Sequence, residues 1–154
     1  MKNKISFIAL IVALPILAIL LLLSVFYYNH LKSFPTENEL WSQIQSYKSV
    51  NSKPYIKDES LCEIASTRIP EVLQTEALNH EALLIRSQAV MDKYHLETLG
   101  ENLVKEGMWG LKASPPLQIW LKSPAHRANL DNPEFTHSCL KCSGNICVHI
   151  FGSY

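Results

Sequence analysis

Three polar groups stand where this chain could do chemistry: His80 in "LNHEAL", Glu101 in "GENLV" and His126 in "SPAHRANL". Imidazole and carboxylate exchange protons near neutral pH, hydrogen-bond polar ligands and suit zinc or a similar divalent ion, the one cofactor these residue types imply. Each also has a plain structural reading. His80 can be a helix-surface residue. Glu101 follows Gly100 at the start of an expected strand, where burying a carboxylate is costly unless it is paired. His126 sits in a turn or at a helix start, where a polar side chain often only caps the backbone. His30, His95 and His137 have no such context, whereas His149 alternates with Val148 and Ile150 in a strand and can reach a cleft from there. No His-Glu-x-x-His motif and no Ser/His/Asp set is present. Ser123, three residues before His126, is a conceivable nucleophile, but no third group orients a base for it, and capping the turn that presents His126 is the better reading. A shared site requires His80, Glu101 and His126 to converge within about 8 Å, the span that one bridging ion or water allows.

These residues depend on the elements around them. "TENELWSQIQSYKSV" opens with a capping box, Thr36 with Glu39, and carries Leu40, Trp41, Ile44 and Tyr47 at helical spacing. After a turn and a short extended piece in "NSKPYIKDE", a second box, Ser60 with Glu63, starts a helix whose apolar face is Leu61, Ile64, Ala65, Ile69, Val72 and Leu73. Pro70 is expected to kink it or end its first part. Residues 78–94 read as a weaker helix, residues 99–104 and 147–151 as extended. Ser114, followed by Pro115 and Pro116, is a plausible cap for a short helix ending near Leu121. Helices followed by a strand, a helix and a terminal hairpin imply an α+β layer structure with a small antiparallel sheet.

Cysteine geometry constrains the hairpin. In "CSGNIC" the Gly144-Asn145 pair suits a two-residue turn, which needs positive φ. Ser143 and Ile146 then form the hydrogen-bonded pair and Cys142 and Cys147 the next, closer pair, suited to a cross-strand disulfide. Cys139 points to the opposite face of its strand, which leaves it for Cys62 on a helix packed there. The alternative, a metal site of Cys139, Cys142 and Cys147 completed by His137 or His149, does not follow a zinc spacing.

At 154 residues with 47% apolar content the chain is of one-domain size, but its apolar residues are unevenly placed. From Ile5 to Tyr28 there is no charge, and such a helix is roughly 36 Å long, enough to cross a hydrocarbon core of about 30 Å. A cleaved signal peptide would have a shorter apolar stretch and a small-x-small site, which is not seen here. The expected organisation is a cytoplasmic segment 1–4, a transmembrane signal-anchor helix 5–28, a short tether 29–35 and an extracytoplasmic domain 36–154; cleavage would instead release that domain. Lys2, Lys4 and the amino terminus precede the span and Lys32 is the only nearby basic residue after it, so the N-terminus is expected inside and the domain outside, where disulfides persist. No basic stripe exists to neutralise phosphates, which argues against nucleic acid as a partner.

The ordered set "LCEIASTRIPEVL", a His about twenty residues before "GENLV", "PLQIWLKSPAHRANLDNPEFT" and "VHIFGS" resembles the CAP superfamily, the cysteine-rich secretory, antigen 5 and pathogenesis-related proteins, in its compact bacterial form. The resemblance covers roughly residues 36–154. It implies an α-β-α sandwich with a small antiparallel sheet between helices, and a surface cleft in which His80 and His126 are the histidines and Glu101 an acid. Eukaryotic members carry a second glutamate three residues after the tryptophan; here that position is Ser123, so the cleft holds a metal more weakly and lacks paired carboxylates. The "HSCLKC" segment replaces the glycines usual after "NPEFT", which implies a hairpin rim remodelled by disulfides. The implied function is a non-enzymatic binding module for a divalent ion, lipid or other ligand in a cleft of His80, Glu101, His126 and Ser123, with envelope proteins as further partners. A protease-like hydrolase and a structural envelope spacer are the alternatives.

Overall fold

In the computed structural model, residues 2–32, 34–74, 78, 80–105 and 115–154 are described. The chain divides into two units, Met1–Phe34 and Pro35–Tyr154. The first is helix α1, Lys2–Lys32, which includes Pro15 and extends through most of the expected tether. Its described side chains, residues 13–28, are all exposed. Among the described residues no helix is long and apolar enough to cross a membrane.

The second unit contains α2 (Glu37–Asn51), β1 (Ile56–Lys57), α3 (Glu59–Gln74), α4 (Glu81–Tyr94), β2 (Thr98–Lys105), α5 (Pro116–Lys122), α6 (Pro124–Asp131), β3 (His137–Ser143) and β4 (Ile146–Ser153). Among the described residues the strands form one sheet in the order β1-β3-β4-β2. The β3–β4 and β2–β4 pairs are antiparallel, but β1 runs parallel to β3, so the sheet is mixed rather than wholly antiparallel.

Strand alternation divides β4 between two layers. Ile146, Val148 and Ile150 join Leu103 and Cys139 in a core with Leu61, Ile64, Ala65 and Val72 of α3 and Leu83 of α4. On the opposite face the rings of His149 and Phe151 meet Trp41 of α2, Tyr55, Trp120 of α5 and Phe135. Helices on both faces of a small sheet make the expected α-β-α arrangement.

The expected hairpin register holds: Cys142 opposes Cys147, Ser143 opposes Ile146, and Gly144 takes φ 59° in the turn. Both disulfides follow from it, Cys142–Cys147 across the hairpin and Cys62–Cys139 from α3 to the opposite face of β3, so no thiolate set exists to hold a metal. The Thr36–Glu39 capping box is present. At α3 the expectation was two residues late. Asp58, not Ser60, accepts from the Leu61 amide at 3.0 Å, because the aspartate lies at the position before the first helical residue. Pro70 neither ends nor splits α3, and Leu73 is exposed rather than part of the core face. Helix α4 begins at Glu81, after His80, and the expected cap at Ser114 lies outside the described residues, Pro115 being the residue before α5.

Candidate functional site

Helix α4, strand β2 and helix α6 each deliver one of the three sequence candidates. His80 holds the N-cap position of α4. Its carbonyl accepts from the Leu83 and Leu84 amides at 3.1 and 3.0 Å, while its side chain makes no capping bond and is left to turn toward β2. There His80 Nδ1 lies 2.7 Å from Glu101 Oε2. His126 occupies the first turn of α6, which Pro124 starts with a φ already suited to a helix. The two imidazole rings stand edge to face with centroids 5.8 Å apart.

Glu101 is buried, with its side chain 3% exposed, and its partner is Arg68 of α3, whose side chain is 2% exposed. The Arg68 Nε bonds Glu101 Oε1 at 2.6 Å, Nη2 reaches Oε2 at 3.3 Å, and Nη1 pairs with Glu71. This fork satisfies a carboxylate that would otherwise be destabilising in the core. Burial opposes the charge on Arg68, but its bonds to Glu101 and Glu71 outweigh that and hold the guanidinium firmly protonated. Arg68 is the member of this cluster that the sequence candidates omit. Its spacing would have revealed it: Leu61, Ala65, Arg68 and Val72 recur at three and four residues, so a cation stands on the apolar face of α3.

Helices α5 and α6 are fixed to the outer strand by side chains. Trp120, fully buried, donates from Nε1 to the Leu103 carbonyl at 3.1 Å. Asn102 donates to the His126 carbonyl at 2.9 Å, and Asn129 donates to the Glu101 carbonyl at 3.1 Å and to Asn102 Oδ1 at 2.9 Å. Because β2 is the last strand in the sheet order, these bonds also occupy carbonyls that an open edge would expose.

Together His80, Glu101 and His126 line a cavity of about 350 Å³, with Asn129 and Ser87 as its other side-chain polar groups and Leu83, Leu84 and Leu99 among its apolar walls. Burial pushes the His126 imidazole below its ordinary pKa, nearby His80 pushes the same way and Glu101 opposes, so His126 is neutral at neutral pH. Ser123 does not line the cavity. It joins α5 to α6 through its backbone, its amide bonding Ile119 and Trp120 and its carbonyl accepting from Arg127, and its side chain makes no capping bond, so neither a nucleophilic nor a capping role follows. His149 does not reach the cavity either: it is fully buried among aromatic rings, with Nε2 3.0 Å from Ser138 Oγ. Among the described residues no group of three or more His, Cys, Asp or Glu side chains is arranged to hold a metal ion. Both Glu101 oxygens bond Arg68, and Oε2 also faces His80 Nδ1.

Solved structures with this architecture decide the fold. A cysteine-rich secretory protein from Staphylococcus aureus superposes with a TM-score of 0.61 at 20% identity, over 77% of this chain and 38% of its own. An extracellular protein containing an SCP domain, from Bacillus anthracis, gives 0.60 at 23% identity, over 77% and 41%. The chain carries the SCP-domain fold. An outer surface protein from Borrelia burgdorferi matches with 0.59 at 22% identity, over 74% of this chain and 89% of its own. The chain thus spans about two fifths of the length of the first two proteins. No protein-family model and no curated protein matches the sequence. Within the SCP fold, the outer strand and the helices beside it form the cavity.

Proposed function

We propose that this chain is a membrane-anchored, extracytoplasmic CAP-type module that binds a small ligand in the cavity of His80, Glu101 and His126 without transforming it. The observation that carries the reading is the convergence of three polar side chains from α4, β2 and α6 on one cavity, with the carboxylate held by buried Arg68. A site fixed in this way is pre-organised for recognition. Catalysis is disfavoured because the Ser87 hydroxyl already donates to the Leu84 carbonyl and Ser123 lies elsewhere. For the anchor, the support is the uncharged run from Ile5 to Tyr28 and the exposed apolar side chains of α1 from Leu14 to Tyr28. For the compartment, the support is the two disulfides and the names of two solved proteins of the same fold, one extracellular and one an outer surface protein.

The test is ligand capture by the full chain in phosphatidylcholine nanodiscs, exposed to a small-molecule extract of the source envelope and read by native mass spectrometry. Ala125→Trp, at an exposed position lining the cavity, fills its mouth. Adducts retained by the wild type and lost in the variant support the reading. Identical adduct patterns in the two, or none in either, refute it.

A further inference from the structure

Apart from His126, the polar side chains lining the cavity direct the protons they donate into the protein. Glu101 is held by the Arg68 guanidinium and therefore acts only as an acceptor. His80 turns Nδ1 to that acceptor, 2.7 Å from Oε2, so the proton on that nitrogen is spent inside the protein as well. Asn129 has two N–H bonds to give, and both go inward, to the Glu101 carbonyl and Asn102 Oδ1. Ser87 spends its hydroxyl proton on the Leu84 carbonyl at 2.9 Å. His126 alone can present either a donor or an acceptor, and its Nδ1 is buried without a partner. Among the described residues, no lysine or arginine lines the cavity.

From this pattern we infer that the cavity selects a ligand that brings its own hydrogen-bond donors, a primary amine on a short apolar stem, and rejects carboxylates and phosphates. The inference rests on the cavity being a binding site, as proposed above, and adds the chemical class of what enters it. An ammonium group supplies three donors and a charge complementary to Glu101, while the stem lies against Leu83, Leu84 and Leu99. A carboxylate of the same shape meets mostly lone pairs and a second negative charge, and it must shed its hydration with little beyond the His126 ring to donate in exchange.

The experiment uses the full chain in phosphatidylcholine nanodiscs at pH 7.5 and three probes of one shape: benzylamine, benzyl alcohol and benzoate. Binding is read from the imidazole proton resonances of His80 and His126. Benzylamine is expected to bind at least tenfold more tightly than benzoate, with benzyl alcohol between them. Leu84→Lys puts a cation at the cavity wall from a position 68% exposed, so the fold should tolerate it, and it should erase that preference. Ile85→Lys, more exposed and not lining the cavity, should preserve it. If benzoate moves the same resonances with equal or greater affinity, the donor requirement is wrong and the cavity remains a binding site. An equal loss of preference in Ile85→Lys also overturns the inference, since diffuse surface charge would then explain it. If no probe moves either histidine, the binding reading falls and takes the inference with it.

Discussion

His149 makes the stability of this fold sensitive to acid, and replacing it should reduce that sensitivity. The ring is fully buried against Trp41, Tyr55, Trp120 and Phe151, its Nδ1 has no hydrogen-bond partner, and burial together with the Lys48 charge pushes its pKa down to about 3. An unfolded histidine titrates near 6.5. Between those values the unfolded chain binds a proton that the folded chain refuses, so acid favours unfolding. The stability is fully present above about pH 6.5 and is lost as pH falls toward 3. At about 1.4 kcal/mol per pH unit, going from pH 7 to 4.5 crosses two units of that window and costs about 3 kcal/mol. In His149→Gln, which carries no titrating ring, the loss over the same range should be smaller by that amount, whatever the variant's stability at pH 7. Urea unfolding of the full chain in nanodiscs, followed by tryptophan fluorescence, measures both. Parallel pH profiles for wild type and variant would refute the reasoning.

Arg68→Leu leaves the Glu101 carboxylate buried without its cation, and should cost about 3–5 kcal/mol by urea titration. The double variant Arg68→Leu/Glu101→Leu should recover most of it, and additive losses would show that the pair is not coupled. The two disulfides should differ in worth. Cys62–Cys139 closes a sequence separation of 77 and Cys142–Cys147 one of 5, so replacing each pair by serine should cost about 4–5 and about 2 kcal/mol respectively; the reverse order in urea midpoints would contradict the loop-entropy account.

Much of the site was legible because its residues belong to short segments with strong local signals. Gly100-Glu101-Asn102 and Ser123-Pro124-x-His126 announce a strand start and a helix start, and the hairpin turn at Gly144 fixes both cysteine pairings. The failures came where a residue's role depends on a distant partner. Spacing puts Arg68 on the apolar face of α3, but nothing local names its partner Glu101, 33 residues away in sequence. His149 could be placed on a strand but not on a face, since the layer it meets is built by α2 and α5. Ser123 attracted attention through its closeness to His126 in sequence, yet one helical turn suffices to exclude it from the cavity. The parallel pairing of β1 involves two residues only and left no periodicity to read.

Gly100 lines the cavity, yet its importance lies on the other side of the strand. A methyl group there would come within 2.6 Å of the Phe135 ring, which is stacked on Phe151 in the aromatic layer. The next residue, Glu101, carries the carboxylate and the one after it, Asn102, holds the α6 backbone. Three consecutive residues thus tie the two faces of the sheet to one another, and the depth at which β2 settles on Phe135 sets how far Glu101 reaches toward Arg68 and His80. The bulk tolerated behind the strand thus bears on where the cavity's carboxylate stands in front of it, so a side chain outside the cavity can shift the groups that line it.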